Sequence, residues 1–126
     1  METRDKNIID FINLVGLATR DHIQKLYFKD VHQNICMRIL KKLSEREYIN
    51  RFKHEGNTFV YYSDKRPAKR IINHDLYITD VVVNMILEGY EILDFKKSFV
   101  IGPIISDAYI KYRTPEGKKR HLVLEI

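Results

Sequence analysis

TRDHIQKLYFKDVHQNICMRILKKLSEREYINRFKHEGNTFVYY, residues 19–62, decides how the rest of the chain is read. Thr19 ahead of a mixed polar and apolar run, with Asp21 close behind, is a helix start signal. A short helix follows to about Phe28, turning Ile23, Leu26 and Tyr27 inward. Lys29, Asp30 and Val31 break it. A longer helix is expected from His32 to Arg46. Next come a strand-like segment from Tyr48 to His54, the turn triplet Glu55-Gly56-Asn57, and a second strand from Thr58 to Tyr62. Helix, short turn, helix and hairpin is the order of a winged helix-turn-helix, an architecture that reads DNA.

Wheel arithmetic at about 100° per residue sharpens the longer helix. With Ile35 at zero, Cys36, Ile39, Leu40 and Leu43 fall with it inside an arc of about 140°, the face to be packed. Asn34, Met37, Arg38, Lys41 and Glu45 take the other side. An amide, a guanidinium and an ammonium are the groups that pair with base edges and phosphates in a major groove. A charged helix face alone is equally the mark of a solvated surface. The hairpin adds to it, because Arg51, Lys53 and His54 flank the turn where a wing meets neighbouring phosphates. The predicted DNA-binding set is Gln33, Asn34, Arg38, Lys41 and Lys42 on the helix, Arg51, Lys53 and His54 on the hairpin, and Lys65 and Arg66 beyond it.

Charge is distributed to match. Residues 1–73 hold fifteen Lys and Arg against nine Asp and Glu, whereas residues 74–126 hold seven against eight. The net +5 therefore resides in the half that would dock on a polyanion. With 44% hydrophobic and 31% charged residues, the composition is that of an ordinary globular chain rather than a disordered one. The most apolar run, Val81 to Leu87, is far too short to span a bilayer. METRDKN at the start is polar and lacks a signal-peptide core, so a cytoplasmic location is expected. The single Cys36 excludes a disulfide framework and reads as a buried thiol.

Ahead of the decisive stretch, a first helix is expected from Asp5 to Val15, capped by Thr3 and stopped by Gly16. Ile8, Ile9, Phe11, Ile12 and Val15 form its apolar stripe. Domain boundaries follow: a winged helix over residues 1–63, a basic connector over 64–73, and a helix plus β-hairpin region over 74–126. Asn73 is the expected cap of a helix from His74 to Glu88, ending at Gly89. Its apolar residues go most of the way round, so it must be covered from several sides, by the sheet that follows or by a second subunit. A homodimer is expected on that ground. Strands are predicted over Tyr90 to Phe95, Phe99 to Ile101, Asp107 to Arg113 and Arg120 to Ile126. If the last hairpin is symmetric about Glu116, Ala108 pairs with Leu124 and Ile110 with Leu122. On the other face Tyr109 then meets Val123, Lys111 meets His121, and Asp107 lies beside Glu125. The fold class is thus α+β, a winged helix-turn-helix followed by a helix and a small antiparallel β-sheet.

Two carboxylates on neighbouring strands repel unless a cation or proton relieves them. Restriction-endonuclease-like folds hold a divalent metal with such a pair, in the pattern Asp on one strand and Glu-x-Lys on the next. Asp107 and Glu125 match the first two positions, and the lysine position lies past Ile126. With these residues the chain resembles the replication-relaxation family of plasmid and mobile-element proteins. The resemblance is carried by Arg4-Asp5, by Leu17-Ala18-Thr19, and by the Arg38–Leu43 helix leading to Tyr48-Ile49. It continues through Val60-Tyr61-Tyr62, His74-Asp75-Leu76 with Asp80, Ser106-Asp107-Ala108-Tyr109 and Leu124-Glu125. It implies a DNA-binding winged helix, then a nuclease-like part that is often degenerate, in control of plasmid replication or transcription.

Other chemistries find little footing. The five histidines lack metal-ligand spacing, and there is no phosphate-binding glycine loop or serine nucleophile context. The expected function is sequence-specific binding of double-stranded DNA by a transcription or replication regulator, non-enzymatic, with no cofactor and no membrane association. The alternatives are a metal-dependent nuclease using Asp107 and Glu125, and a winged helix that binds protein.

Overall fold

The structure, a computed structural model, describes the backbone of residues 1–126 and all side chains except those of Phe99, Val100, Ile101 and Ile104. The chain divides into two units, Met1–Thr79 and Asp80–Ile126. Its class is α+β: across the described residues, four α-helices accompany two three-stranded antiparallel sheets. No described helix is long and apolar enough to cross a membrane.

In the first unit, helix α1 spans Thr3–Val15 and buries Ile8, Phe11, Ile12 and Val15 along one stripe. Thr3 lies inside the helix rather than capping it, and Glu2 is the extended residue that precedes it. Gly16 ends it at φ +88°, a conformation costly for any residue with a Cβ, and its N–H reaches the Ile12 carbonyl at 2.8 Å. Strand β1, Leu17–Thr19, follows at once. The sequence gives no sign of it, since three residues are too few to show alternation, and the pairing partner lies over forty residues away.

Helix α2 covers Arg20–Tyr27. Its start is a capping arrangement in which Thr19 N–H donates to His22 Nδ1 at 3.0 Å, histidine standing where glutamate or glutamine is usual. Ile23 is buried as expected, while Leu26 and Tyr27 are half-buried and His22 is buried beside them. Gln24 Nε2 donates to the carbonyls of Phe28 and Val31, 2.7 Å each, and so fixes the turn into the next helix. Helix α3, Gln33–Glu45, begins one residue later than expected because His32 is its cap, accepting the Asn34 N–H at Nδ1. Cys36, Leu40 and Leu43 are buried. Ile35, assigned to the same arc, is 39% exposed. It lies about 100° from the centre of that trio, beyond the edge of the packed face.

Strands β2, Asn50–Lys53, and β3, Phe59–Tyr62, pair with Lys53 opposite Phe59, and the sheet order is β1-β3-β2. As the central strand, β3 is covered on both faces, so Val60 and Tyr61 are both buried. Phe52 and Val60 form a core with Leu17 and Ile72, flanked by Tyr62 and Leu76. Tyr48, expected in the strand, instead closes the end of α3, its N–H on the Leu43 carbonyl.

A 3₁₀ turn, Lys69–Ile71, leads directly into helix α4, Ile72–Leu87. Burial of Ile72 starts this helix two residues before His74, which places Asn73 inside it. Asn73 caps nothing: its side chain meets His54 and Glu55. Thr79 Oγ1 donates to the Leu17 carbonyl at 2.8 Å and lies 3.2 Å from that of Asp75.

In the second unit, the two strands expected before residue 102 are one, β4, Glu91–Ile101, which absorbs a register shift between Ile92 and Asp94 and a positive φ at Ser98. Strand β5, Ile104–Arg113, begins three residues before Asp107, and β6, Lys119–Leu124, stops two short of Ile126. The register about Glu116 is the expected one: Ala108 pairs with Leu124, Tyr109 with Val123, Ile110 with Leu122 and Lys111 with His121. Ala108 and Ile110 are buried.

Candidate nucleic-acid interface

The outer face of α3 is set by its inner one. With Cys36, Leu40 and Leu43 packed inward, Asn34, Arg38, Lys41 and Glu45 stand opposite, and all four are exposed. Lys41 Nζ lies 3.9 Å from Glu45 Oε1, a weak helical pair that leaves the ammonium in solvent. Gln33 and Met37 occupy the flank towards β3, and exposed Lys42 occupies the flank beside Arg4, Ile39 and Tyr48.

The hairpin cations are ordered by aromatic rings. The Arg51 guanidinium sits 4.3 Å from the centre of the Phe59 ring, and Lys53 Nζ lies 5.7 Å from the same ring. Arg51 also stands opposite Tyr61 in the β2–β3 ladder. Burial pushes the Tyr61 phenol above its ordinary value, against the opposing pull of Arg51. His54, expected at the hairpin tip, turns to its own unit. Its Nε2 lies 2.9 Å from Asn73 Oδ1 and 3.6 Å from Glu55 Oε1, and the side chain is only 13% exposed.

Beyond the hairpin, Lys65 is exposed, and Arg66 lies 4.4 Å from the centre of the Phe52 ring. Arg66, Lys53, His54 and Lys69 surround a hollow of about 280 Å³ floored by Phe52, Pro67 and Ile72, with Glu55 at its edge. The basic segment after β3 is therefore drawn beside the hairpin.

A second hollow, of about 390 Å³, joins residues that sequence reasoning left out: Arg20, Asn57, Thr58, Phe59 and Tyr61, together with Thr19, Asp21, Gln33 and Met37. The pairing of Thr19 with Val60 helps bring the start of α2 to this place. Had β1 been recognisable, that register would have announced the juxtaposition. Beneath α3, Cys36 is fully buried, and burial pushes its thiol up to about 11, with Arg20 and Arg4 lowering it and Asp21 raising it.

The carboxylate pair of the second unit is placed differently from expectation. The β5–β6 ladder ends at Ala108 and Leu124, so Asp107 and Glu125 are not ladder partners. Asp107 Oδ2 instead accepts the Ile126 N–H at 2.6 Å, and Glu125 is exposed. Among the described residues, no group of three or more His, Cys, Asp or Glu is arranged to hold a metal ion. No protein-family model, curated protein or solved structure matches the chain.

Proposed function

We propose that the chain is a sequence-specific double-stranded DNA-binding protein, a cytoplasmic regulator of transcription or of plasmid or mobile-element replication, whose first unit acts as a winged helix. The observation that carries this reading is the exposed row Asn34, Arg38 and Lys41 on α3, together with hairpin cations held on Phe59, a ring that lines one hollow with Gln33 and Met37 of α3. An α-helix fits the major groove, where an Arg fork pairs with guanine and an Asn amide with adenine. Arg51 and Lys53 then supply backbone contacts, which position without reading sequence. The element order α1-β1-α2-α3-β2-β3 with sheet order β1-β3-β2 supports the same reading. The reading includes a homodimer, supported by exposed Tyr77 and Leu87 on α4.

The test is a gel shift on DNA upstream of the protein's own gene, against a random duplex, over a salt series. Affinity for both should fall with salt, and the specific duplex should bind more tightly. Arg38→Ala should cost about 1–3 kcal/mol on the specific duplex and much less on the random one. Equal losses on the two would remove Arg38 from base reading. An affinity indifferent to salt would remove DNA binding altogether.

A further inference from the structure

The hollow between the start of α2, the Gln33–Met37 flank of α3 and the hairpin has walls of two kinds. Phe59 and Met37 give it apolar surface, Met37 being 47% exposed, and buried Tyr61 lies behind them. Thr19, Arg20, Gln33, Asn57 and Thr58 give it hydroxyl, guanidinium and amide groups. Arg20 lines the hollow with its side chain mostly withdrawn from solvent. One carboxylate stands at the rim. Asp21 Oδ1 lies 2.8 Å from Arg20 Nη2, with the Asp21 side chain 69% exposed and that of Arg20 29%.

A deoxyribose-phosphate unit is divided in the same manner, an apolar sugar edge joined to an anion with several acceptors. We infer that this hollow seats one strand of the duplex, its phosphate on Arg20 with the amides of Gln33 and Asn57, and its sugar against Phe59 and Met37. The inference rests on the reading of α3 as the groove-entering helix: a helix in the major groove is flanked by the strands that bound it. Asp21 opposes the incoming phosphate while holding the guanidinium, so the seat carries a built-in brake on affinity.

The full-length protein and its variants are titrated with the specific and the random duplex across a salt series. Asp21→Asn should tighten both, roughly fivefold at low salt, the scale of one unit charge a few ångströms away in water. Asp10→Asn, an equal charge change on α1, should tighten them much less. Arg20→Gln should weaken both alike and lower the salt slope by about 0.9, while Arg20→Lys keeps the slope. A gain from Asp21→Asn cannot come from misfolding. If Asp21→Asn matches Asp10→Asn, or Arg20→Gln leaves the slope unchanged while Arg38→Ala still lowers the preference for the specific duplex, the strand does not lie here and the reading of α3 stands. If the parent protein binds neither duplex in a salt-dependent way, that reading fails and the seat with it.

Discussion

Two hairpins in this chain are closed alike and surrounded differently. In each, five residues connect the strands, 54–58 between β2 and β3 and 114–118 between β5 and β6. In each, the first connecting residue donates its N–H to the carbonyl of the last, at 2.8 and 2.7 Å. Each turn contains a glycine at positive φ, Gly56 at +73° and Gly117 at +90°. Both carry cations. Yet Arg51 and Lys53 lie on the Phe59 ring. Around the other hairpin, Arg113 is tied to Glu91 at 3.0 Å, and Lys118, Lys119 and Arg120 project into solvent from a turn that also holds Glu116. Positive charge is common to the two. What sets the first apart is charge held on an aromatic ring, in the unit that carries the exposed polar face of α3.

That contrast can be broken in three ways. The largest effect should come from the second hairpin and should concern stability alone. Ile110→Ala removes a fully buried side chain and should cost about 2–5 kcal/mol in urea unfolding, with the DNA affinity of the folded protein unchanged. A matching loss of affinity would mean that this hairpin also belongs to the interface. Next, Arg51→Ala should weaken specific and random duplexes alike, by on the order of 1 kcal/mol at low salt, and reduce the salt slope. Arg120→Ala should do neither, and equal slopes for the two variants would erase the distinction between the hairpins.

The third effect should appear in alkali. The Cys36 thiol is raised from 9.0 to about 11, so the folded state holds its proton more tightly than the unfolded chain. Its contribution is complete below about pH 9 and is lost as pH climbs towards about 11. Tyr27 and Tyr61, also raised by burial, start from 10.0 and act later. Unfolding measured between about pH 8 and about pH 10 should show softening that Cys36→Ala abolishes. Softening that persists in the variant would place its source elsewhere.

Local chemistry explains which parts were legible beforehand. The β5–β6 register follows from turn symmetry about Glu116, because a hairpin's pairing is fixed by its own loop. The outer face of α3 follows from helical period, since Cys36, Leu40 and Leu43 fix the rotation. What escaped depends on distant partners. Strand β1 exists because Tyr61 and Tyr62 lie beside it, and α4 begins early because Ile72 is taken into a core made by Leu17, Phe52 and Val60. The Arg20 hollow inherits the difficulty, being assembled from three separate stretches. His54 shows the reverse case: its sequence position suggested the hairpin tip, but Asn73 and Glu55 draw it inward.

Thr79 gives β1 one more property. An outermost strand with vacant backbone groups invites a strand from another molecule to add on, a common route to aggregation. Leu17, at the outset of that short strand, already has its carbonyl engaged by the buried Thr79 hydroxyl. The same bond that fastens α4 to the sheet thus takes one backbone acceptor of this edge strand out of use.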